Sequence, residues 1–448
     1  MSDVTTTDLY EVTMAMSYLR EGMTRPATFS LFVRELPPGR GFLVAAGLED
    51  ALDLLSGFRV TPEDTEAFAE ALGRSPQDLA ALRELPFDGE VRAVPEGRLV
   101  FGGEPLLEVT ASLPVAQLVE TALLNRLSHQ TALASKAARC VIAAAGRPVV
   151  DFSLRRTHGT QAGFHAARAA SLTGFSGTSN VAASARVGLP AVGTMAHSYV
   201  EVFASEEQAF HAFARAHDGP LVLLVDTYDT EQGVRVATRV LRDLDRGPGS
   251  AVRLDSGDLG DLAARSRRIL DRAGLPGVRI IASGGLDEYT VDRLVRSGAP
   301  IDVYAVGTRV GVSADAPFLD SAYKIVDYDG RPLMKLSSGK ITAPGRKQIY
   351  RRPGDLDVIA LADEPPPAHA RPLLETVMRG GRRTGARDRL DDARARFQAD
   401  LAELPADARR IDGPLAPRAV LSERLSALAE HVRHALGQPG TGPRPPHP

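Results

Sequence analysis

Cysteine is almost absent from this chain: Cys140 stands alone among 448 residues. An internal disulfide and any cysteine-based zinc cluster are thereby excluded. No run of about 18 apolar residues occurs, so no membrane-spanning helix is expected. Met1 to Arg20 carries acidic residues and no continuous apolar stretch, unlike a secretory signal. A dominant charge is lacking too, since the net charge is −3, so any anion site must be a local concentration of positive groups. The expectation is a cytoplasmic protein that binds neither nucleic acid nor membrane. Lysine is scarce: the basic residues are arginine except Lys136, Lys324, Lys335, Lys340 and Lys347, and four of these fall between 324 and 347, where the ammonium group itself could be needed. No Gly-x-Gly-x-x-Gly follows the first strand, and no Walker-type loop or metalloprotease histidine pair is present.

What is present is enough apolar material for large cores, 44% of residues, in a chain longer than one core usually organises. Two structural units are therefore expected. Residues 1–125 mix strand-like runs (Ala27 to Val33, Leu99 to Phe101, Leu106 to Val109) with helical stretches (Pro62 to Leu72, Gln77 to Leu85), an α+β pattern. Val115 to Ala145 reads as helical until Gly146-Arg147-Pro148 stops it. Short apolar runs then alternate with helical stretches. The strand candidates are Val149 to Phe152, Ala191 to Thr194, Leu221 to Val225, Ala251 to Leu254, Val278 to Ala282 and Ile301 to Val306. The intervening helix candidates are Thr160 to Leu172, Glu206 to Ala216, Thr230 to Leu244, Leu259 to Ala273 and Asp287 to Ser297.

This alternation predicts an α/β fold: an irregular α/β barrel over 126–330, with an additional α+β domain built from the N-terminal segment and from 331–385. A doubly wound sheet is the alternative, but reactive clusters end nearly every strand, which favours the barrel. Met334 to Leu336, Lys347 to Arg351 and Val358 to Ala360 have strand character. Residues 386–436 read as an arginine-rich helical region with a seam at Leu421, Leu425 and Leu428, and 437–448 as a disordered tail.

The strand ends carry the chemistry. Ser283-Gly284-Gly285 follows an apolar run, and Gly307-Thr308 ends the next. Glycines let backbone amides approach an anion, and paired glycine-rich ends on late strands suit a phosphate, although each alone could be an ordinary strand-to-helix turn. Asp226 and Asp255 end apolar runs, where a carboxylate can bind ribose hydroxyls or Mg²⁺. Helix capping is the competing role, for which Asp229 and Asp258 are better placed. Arg155, Arg156 and Arg253 lie where a guanidinium can clamp carboxylate or phosphate. Arg155 and Arg156 should point apart, so one of them could instead make a structural ion pair. A lone histidine such as His197 is usually structural, yet among anion sites it can bind or attack phosphate.

Taken in order, Asp151-Phe152-Ser153-Leu154-Arg155-Arg156-Thr157-His158-Gly159, Gly177-Thr178-Ser179-Asn180, Gly193-Thr194-Met195-Ala196-His197-Ser198, Asp226-Thr227-Tyr228-Asp229-Thr230, Val252-Arg253-Leu254-Asp255-Ser256-Gly257-Asp258 and Lys335-Leu336-Ser337-Ser338-Gly339-Lys340 resemble the motifs of the nicotinate phosphoribosyltransferase family. Thr7-Asp8-Leu9-Tyr10 is similar as well, so the resemblance spans about 5–365. It implies a type II phosphoribosyltransferase acting as a homodimer with shared active sites. Phe152 would form one face of the base pocket and Tyr10, reaching into the partner subunit, the other. Arg155 and Arg253 would lie near negative groups, Asp226 and Asp255 near ribose and Mg²⁺, and Ser283, Gly284, Gly285, Gly307 and Thr308 at the 5-phosphate. His197 matches the histidine that ATP phosphorylates, so ATP is expected as co-substrate, with no prosthetic group. Nicotinamide-using relatives carry aspartate at the position of Ser179, which would repel a carboxylate. Ser179 with Thr178 can donate to one, so nicotinate is the expected base. Ser153 stands where many relatives have glycine. The expected activity is ATP-dependent synthesis of nicotinate mononucleotide from nicotinate and phosphoribosyl diphosphate, in NAD salvage. The rival activities are a nicotinamide phosphoribosyltransferase and a barrel phosphosugar isomerase or lyase. The latter would need a catalytic lysine or glutamate inside the barrel, and 149–311 contains no lysine.

Overall fold

The computed structural model describes residues 3–336, 342–352 and 356–437. Two compact units divide the chain, one of 1–132, 318–410 and 414–448, the other of 133–317 and 411–413. The boundaries differ from the expected 125 and 330 for a structural reason. Ser321–Tyr328 is an eight-residue strand that pairs antiparallel with Pro26–Val33 along its whole length, so it belongs to the first unit. Phe29 and Tyr323 stack across that pair with ring centroids 4.8 Å apart.

The first unit is built on an antiparallel seven-stranded sheet ordered 331–332, 321–328, 26–33, 105–112, 90–93, 375–379, 382–383. A second sheet joins 371–372, 347–351, 358–361 and 420–421. Leu421, expected in a helical seam, is instead in a short strand parallel to Val358–Leu361, and the last helix starts at Glu423. Met334 to Leu336 forms no strand. Of the lysine-rich stretch, Lys347 is an internal cation: its ammonium donates to the carbonyls of Ala343 (3.1 Å) and Gly345 (2.8 Å) and pairs with Glu108 at 3.4 Å. Four residues of the Lys335 to Lys340 motif, and most of the tail from 437, lie outside the described residues.

Glu120–Ala143 carries the chain into the second unit. There six strands, all parallel, lie in the order 177–178, 149–151, 303–306, 279–282, 251–254, 222–224. Their apolar runs are short and continuous, as burial on both faces requires. Helices that start on aspartate return the chain. Asp229, Asp258 and Asp287 each accept a backbone N–H of the following turn, at 2.8, 3.1 and 2.9 Å. The expected strand Ala191 to Thr194 is reduced to one parallel bridge, Ala191 to Thr178. It nevertheless completes the ring, because the Thr194 hydroxyl donates to the Val222 carbonyl at 2.6 Å, linking the two edges of the sheet. The predicted irregular barrel is thus present. Its stave Gly177–Thr178 has no apolar run that could have announced it. Val150, Val303 and Ala305 pack with Phe152, Val192 and Ile281 inside the sheet. Alternation along the first strand puts Phe152 on the same face as Val150, at the carboxyl end.

Candidate active site at the strand ends

Asp226 is buried, more so than its neighbour Asp255. Its Oδ2 accepts the Asp255 backbone N–H and the Ser256 hydroxyl, each at 2.8 Å, while Oδ1 is buried without a hydrogen-bond partner. A buried carboxylate oxygen left unsatisfied is costly, and it marks where a ligand hydroxyl or a cation would be accepted.

Asp255 stands beside it on the adjacent strand end. Its Oδ1 accepts from the Arg253 guanidinium at 2.7 Å and from the Ser283 hydroxyl at 2.5 Å. Its Oδ2 lies 3.8 Å from His197 Nε2. Burial pushes this carboxyl up, but the Ser283 and Arg253 hydrogen bonds and the charges of Arg253 and His197 outweigh it and hold the group below the usual carboxylate range. It stays ionised. Arg253 also donates to Ser283 Oγ (2.9 Å) and to the Met195 carbonyl (3.4 Å), and its guanidinium lies 5.5 Å from the centre of the Phe152 ring. His197 Nδ1 is 3.2 Å from the Thr227 hydroxyl. Five strand ends of the ring, counting the 191–194 stave, are therefore linked through these groups.

The two glycine loops are adjacent in the sheet. Gly284 has φ +90°, and a Cβ there would lie 1.8 Å from the Asp255 carbonyl oxygen, so only glycine fits. Gly284 and Gly285 are exposed, and neither amide enters a hydrogen bond among the described residues. The helix behind them begins at Glu288 and is capped by Asp287, so the free amides, not the helix start, supply the positive end. Gly307, at the neighbouring strand end, has space only up to the Phe152 carbonyl, 3.1 Å from where a Cβ would lie. Ser283 itself is buried, with its hydroxyl engaged by Arg253 and Asp255, so it braces the loop and does not face a ligand.

The other side of the ring is sparser. Arg155 and Arg156 lie on the one-turn helix Leu154–Arg156, exposed, and neither makes an ion pair among the described residues. The alternative that one is held structurally is thus not realised. Ser179 is partly exposed and, among the described residues, commits only its N–H, to the Asp151 carbonyl at 2.8 Å. Thr178 requires a correction. It is fully buried, and its hydroxyl donates to Asp151 Oδ2 at 2.7 Å, so it has no proton for a ligand carboxylate. The other oxygen of Asp151 accepts the Ser153 N–H at 2.9 Å. Asp151, Ser256 and Thr227, to which pattern reading gave no role, support the site. The signal available was their position at, or within three residues of, a strand end. Tyr10, in the first unit, is 45% exposed. Burial and then the charges of Glu120, Glu11 and Asp8 push its phenol up, so it stays protonated.

Among the described residues no three potential ligands gather around one point as a ready-made metal cage. The free Asp226 oxygen and Asp255 Oδ2 do suit Mg²⁺, which keeps several waters and takes one or two carboxylates plus substrate phosphate oxygens. None of the described helices is long and apolar enough to cross a membrane.

Comparisons with known proteins identify the family. Residues 5–128 match the nicotinate phosphoribosyltransferase (NAPRTase) N-terminal domain, 148–299 the nicotinate phosphoribosyltransferase (NAPRTase) family, and 366–429 the corresponding C-terminal domain. A nicotinate phosphoribosyltransferase of Mycobacterium tuberculosis is 45% identical over 96% of this chain and 94% of its own. That of Bacillus subtilis is 41% identical over 80% of this chain and 76% of its own. The crystal structure of human nicotinic acid phosphoribosyltransferase superimposes with a TM-score of 0.82 at 31% identity, covering 95% of this chain and 99% of that one.

Proposed function

We propose, from the premise that the chain belongs to the nicotinate phosphoribosyltransferase family, that its strand-end site joins nicotinate to phosphoribosyl diphosphate and couples this to ATP. It is an enzyme of NAD salvage. The observation that carries the reading is the cluster of Asp226, Asp255, Arg253 and Ser283, which keeps unspent acceptor atoms beside two free glycine amides.

In the reaction the pyridine nitrogen attacks C1 of the ribose. The C1–N bond forms while the C1–O bond to diphosphate breaks and its electron pair leaves with the diphosphate. No general base is needed, because the pyridine lone pair is already free. The enzyme's tasks are positioning and charge stabilisation. Phe152 offers its face to the pyridine ring, and Tyr10 of a second copy would cover the opposite face in a homodimer. Gly284, Gly285, Gly307 and Thr308 hold the 5-phosphate by backbone N–H groups. Asp226 and Asp255 accept ribose hydroxyls, with Mg²⁺, when bound, neutralising part of the diphosphate charge. Arg253, fixed by Asp255 and Ser283, stabilises the developing negative charge of the leaving group. Arg155, unpaired, is available to the nicotinate carboxylate, with Ser179 as the hydroxyl donor near it.

His197 is the phosphoryl acceptor in this reading: ATP transfers its γ-phosphoryl group to the imidazole, releasing ADP, and hydrolysis of the phosphohistidine drives the otherwise reversible transfer. Support comes from its placement, with one ring nitrogen held by Thr227 and the other facing Asp255. The test follows mononucleotide and ADP formation together in wild type and His197→Ala. The variant should lose ATP hydrolysis and ATP stimulation while retaining slow transfer; unchanged ATP dependence would remove His197 from the mechanism. Absence of mononucleotide from the wild type would refute the function itself.

A further inference from the structure

The only lysine of the barrel unit is buried away from the mouth. Lys136, on the helix Glu120–Ala143, places its ammonium 2.6 Å from Glu288 and 2.9 Å from Asp315. The other Glu288 oxygen takes the Arg139 Nε at 3.0 Å, and Arg139 also donates to the Ile411 carbonyl at 2.8 Å. The Tyr289 ring centre lies 6.0 Å from the Lys136 ammonium and 5.4 Å from the Arg139 guanidinium. None of these side chains is among the groups that link the strand ends above.

The two carboxylates, however, follow different glycine loops. Glu288 comes three residues after Gly285, and Asp315 follows the one-turn helix Thr308–Gly311 that opens after Gly307. A single ammonium therefore ties together the chain segments that follow the two glycine loops. Arg309 does the same nearer the surface, pairing with Asp287. Burying such charges is a weak way to stabilise a fold, because desolvation offsets the attraction and apolar side chains of similar volume hold elements together as well. What the charges add is a fixed geometry, since two oxygens from two loops must meet one nitrogen.

We propose that Lys136 is a positioning residue that sets the separation of the two glycine loops to fit one phosphate group. The proposal rests on the reading of those loops as the 5-phosphate site. Asp315→Asn cuts the link to one loop and leaves the Lys136–Glu288 pair in place. The double variant Lys136→Met/Asp315→Asn removes one positive and one negative charge and leaves Glu288 paired with Arg139. In folded protein, verified by circular dichroism and thermal melting, the KM for phosphoribosyl diphosphate and the Kd for ribose 5-phosphate should rise, by about tenfold to a hundredfold in the double variant. The KM for nicotinate should stay within about twofold. Unchanged KM for phosphoribosyl diphosphate in folded Asp315→Asn would overturn the proposal, as would an equal rise in both KM values, which a merely loosened fold would give. Gly285→Asp tests the loop reading separately. Asparaginyl-type side chains tolerate its φ of +67°, and the added charge should repel the phosphate. If that variant keeps wild-type affinity for ribose 5-phosphate, the loop reading fails and the positioning role with it. If it loses affinity while Asp315→Asn does not, only the positioning role fails.

Discussion

Two arginines in this molecule sit in nearly the same company and do different work. In the first unit, Arg351 pairs with Asp357, Nε to both oxygens at 3.0 Å, and lies 5.1 Å from the centre of the Phe101 ring. It also reaches Asp400 at 3.2 Å and the Leu99 carbonyl at 2.8 Å. In the barrel, Arg253 pairs with Asp255 at 2.7 Å and lies 5.5 Å from the centre of the Phe152 ring. The difference is in what remains unspent. Asp357 is 2% exposed and has both oxygens bonded to Arg351, whereas the Asp255 side chain is 26% exposed and turns one oxygen toward His197. Shifted ionisation does not separate the two. Burial and the neighbouring Asp357 push Glu104 far up beside Arg351, in the first unit and outside the strand-end cluster. Accessible, unsatisfied valence at a strand end is the better guide to function.

The sharpest way to break this comparison is to remove both guanidiniums. Arg253→Met should cut kcat/KM by about a hundredfold to a thousandfold with little loss of stability, as loss of a charge-stabilising donor does. Arg351→Met should leave buried carboxylates unpaired and cost about 3–5 kcal/mol of stability, with normal kcat per folded molecule. Urea denaturation and steady-state kinetics on both variants check it. Equal losses of activity per folded molecule would erase the distinction.

A second contrast uses pH. Glu11, fully buried in the first unit, is pushed up to about 7, chiefly by burial, against hydrogen bonds from Thr121 and Thr7 that act to lower it. The folded state therefore holds its proton longer than the unfolded chain does. Stability is full below 4.5, the ordinary value, and falls as pH rises toward 7, by about 3 kcal/mol at most. Glu11→Gln should flatten that part of the pH–stability curve, and an unaltered slope would refute the assignment. Asp255, held low, should contribute the opposite slope, lost only in acid.

Specificity gives a smaller effect. Ser179→Asp should lower kcat/KM for nicotinate by about tenfold to a hundredfold, or roughly 1.4–2.8 kcal/mol, and spare nicotinamide. Equal changes for both bases would remove residue 179 from carboxylate recognition. The smallest effect belongs to a cap. Asp258→Ala removes the acceptor for two backbone N–H groups and should cost about 1 kcal/mol in thermal stability with KM values unchanged. A changed KM would give Asp258 a place in the site beside Asp255.

How much of this was legible beforehand follows from the physics of each element. Ala251–Leu254 and Glu206–Ala216 have the bounds read from the sequence, because a continuous apolar run and an amphipathic period are local signals. The stave Gly177–Thr178 and the irregular closure at 191–194 exist only through neighbours, so no local pattern could reveal them. The same holds within the site. Asp226 and Asp255 were legible as strand-end acids and Asp229 and Asp258 as caps, each from its position in a run. That Thr178 spends its hydroxyl on Asp151, and Ser283 on Asp255, depends on side chains from other staves and needed the fold. Lys136 was visible only as a scarce residue type. The carboxylates that give it meaning lie 152 and 179 positions away by residue number, at Glu288 and Asp315.

The most direct measurement is the ratio of kcat/KM for nicotinate to that for nicotinamide, followed as mononucleotide formed from phosphoribosyl diphosphate by the purified protein with Mg²⁺ and ATP. The account predicts a ratio above about a hundred, since a free arginine and a hydroxyl donor, with no carboxylate at position 179, favour the acid. A ratio near or below one, or no mononucleotide from either base, would contradict it.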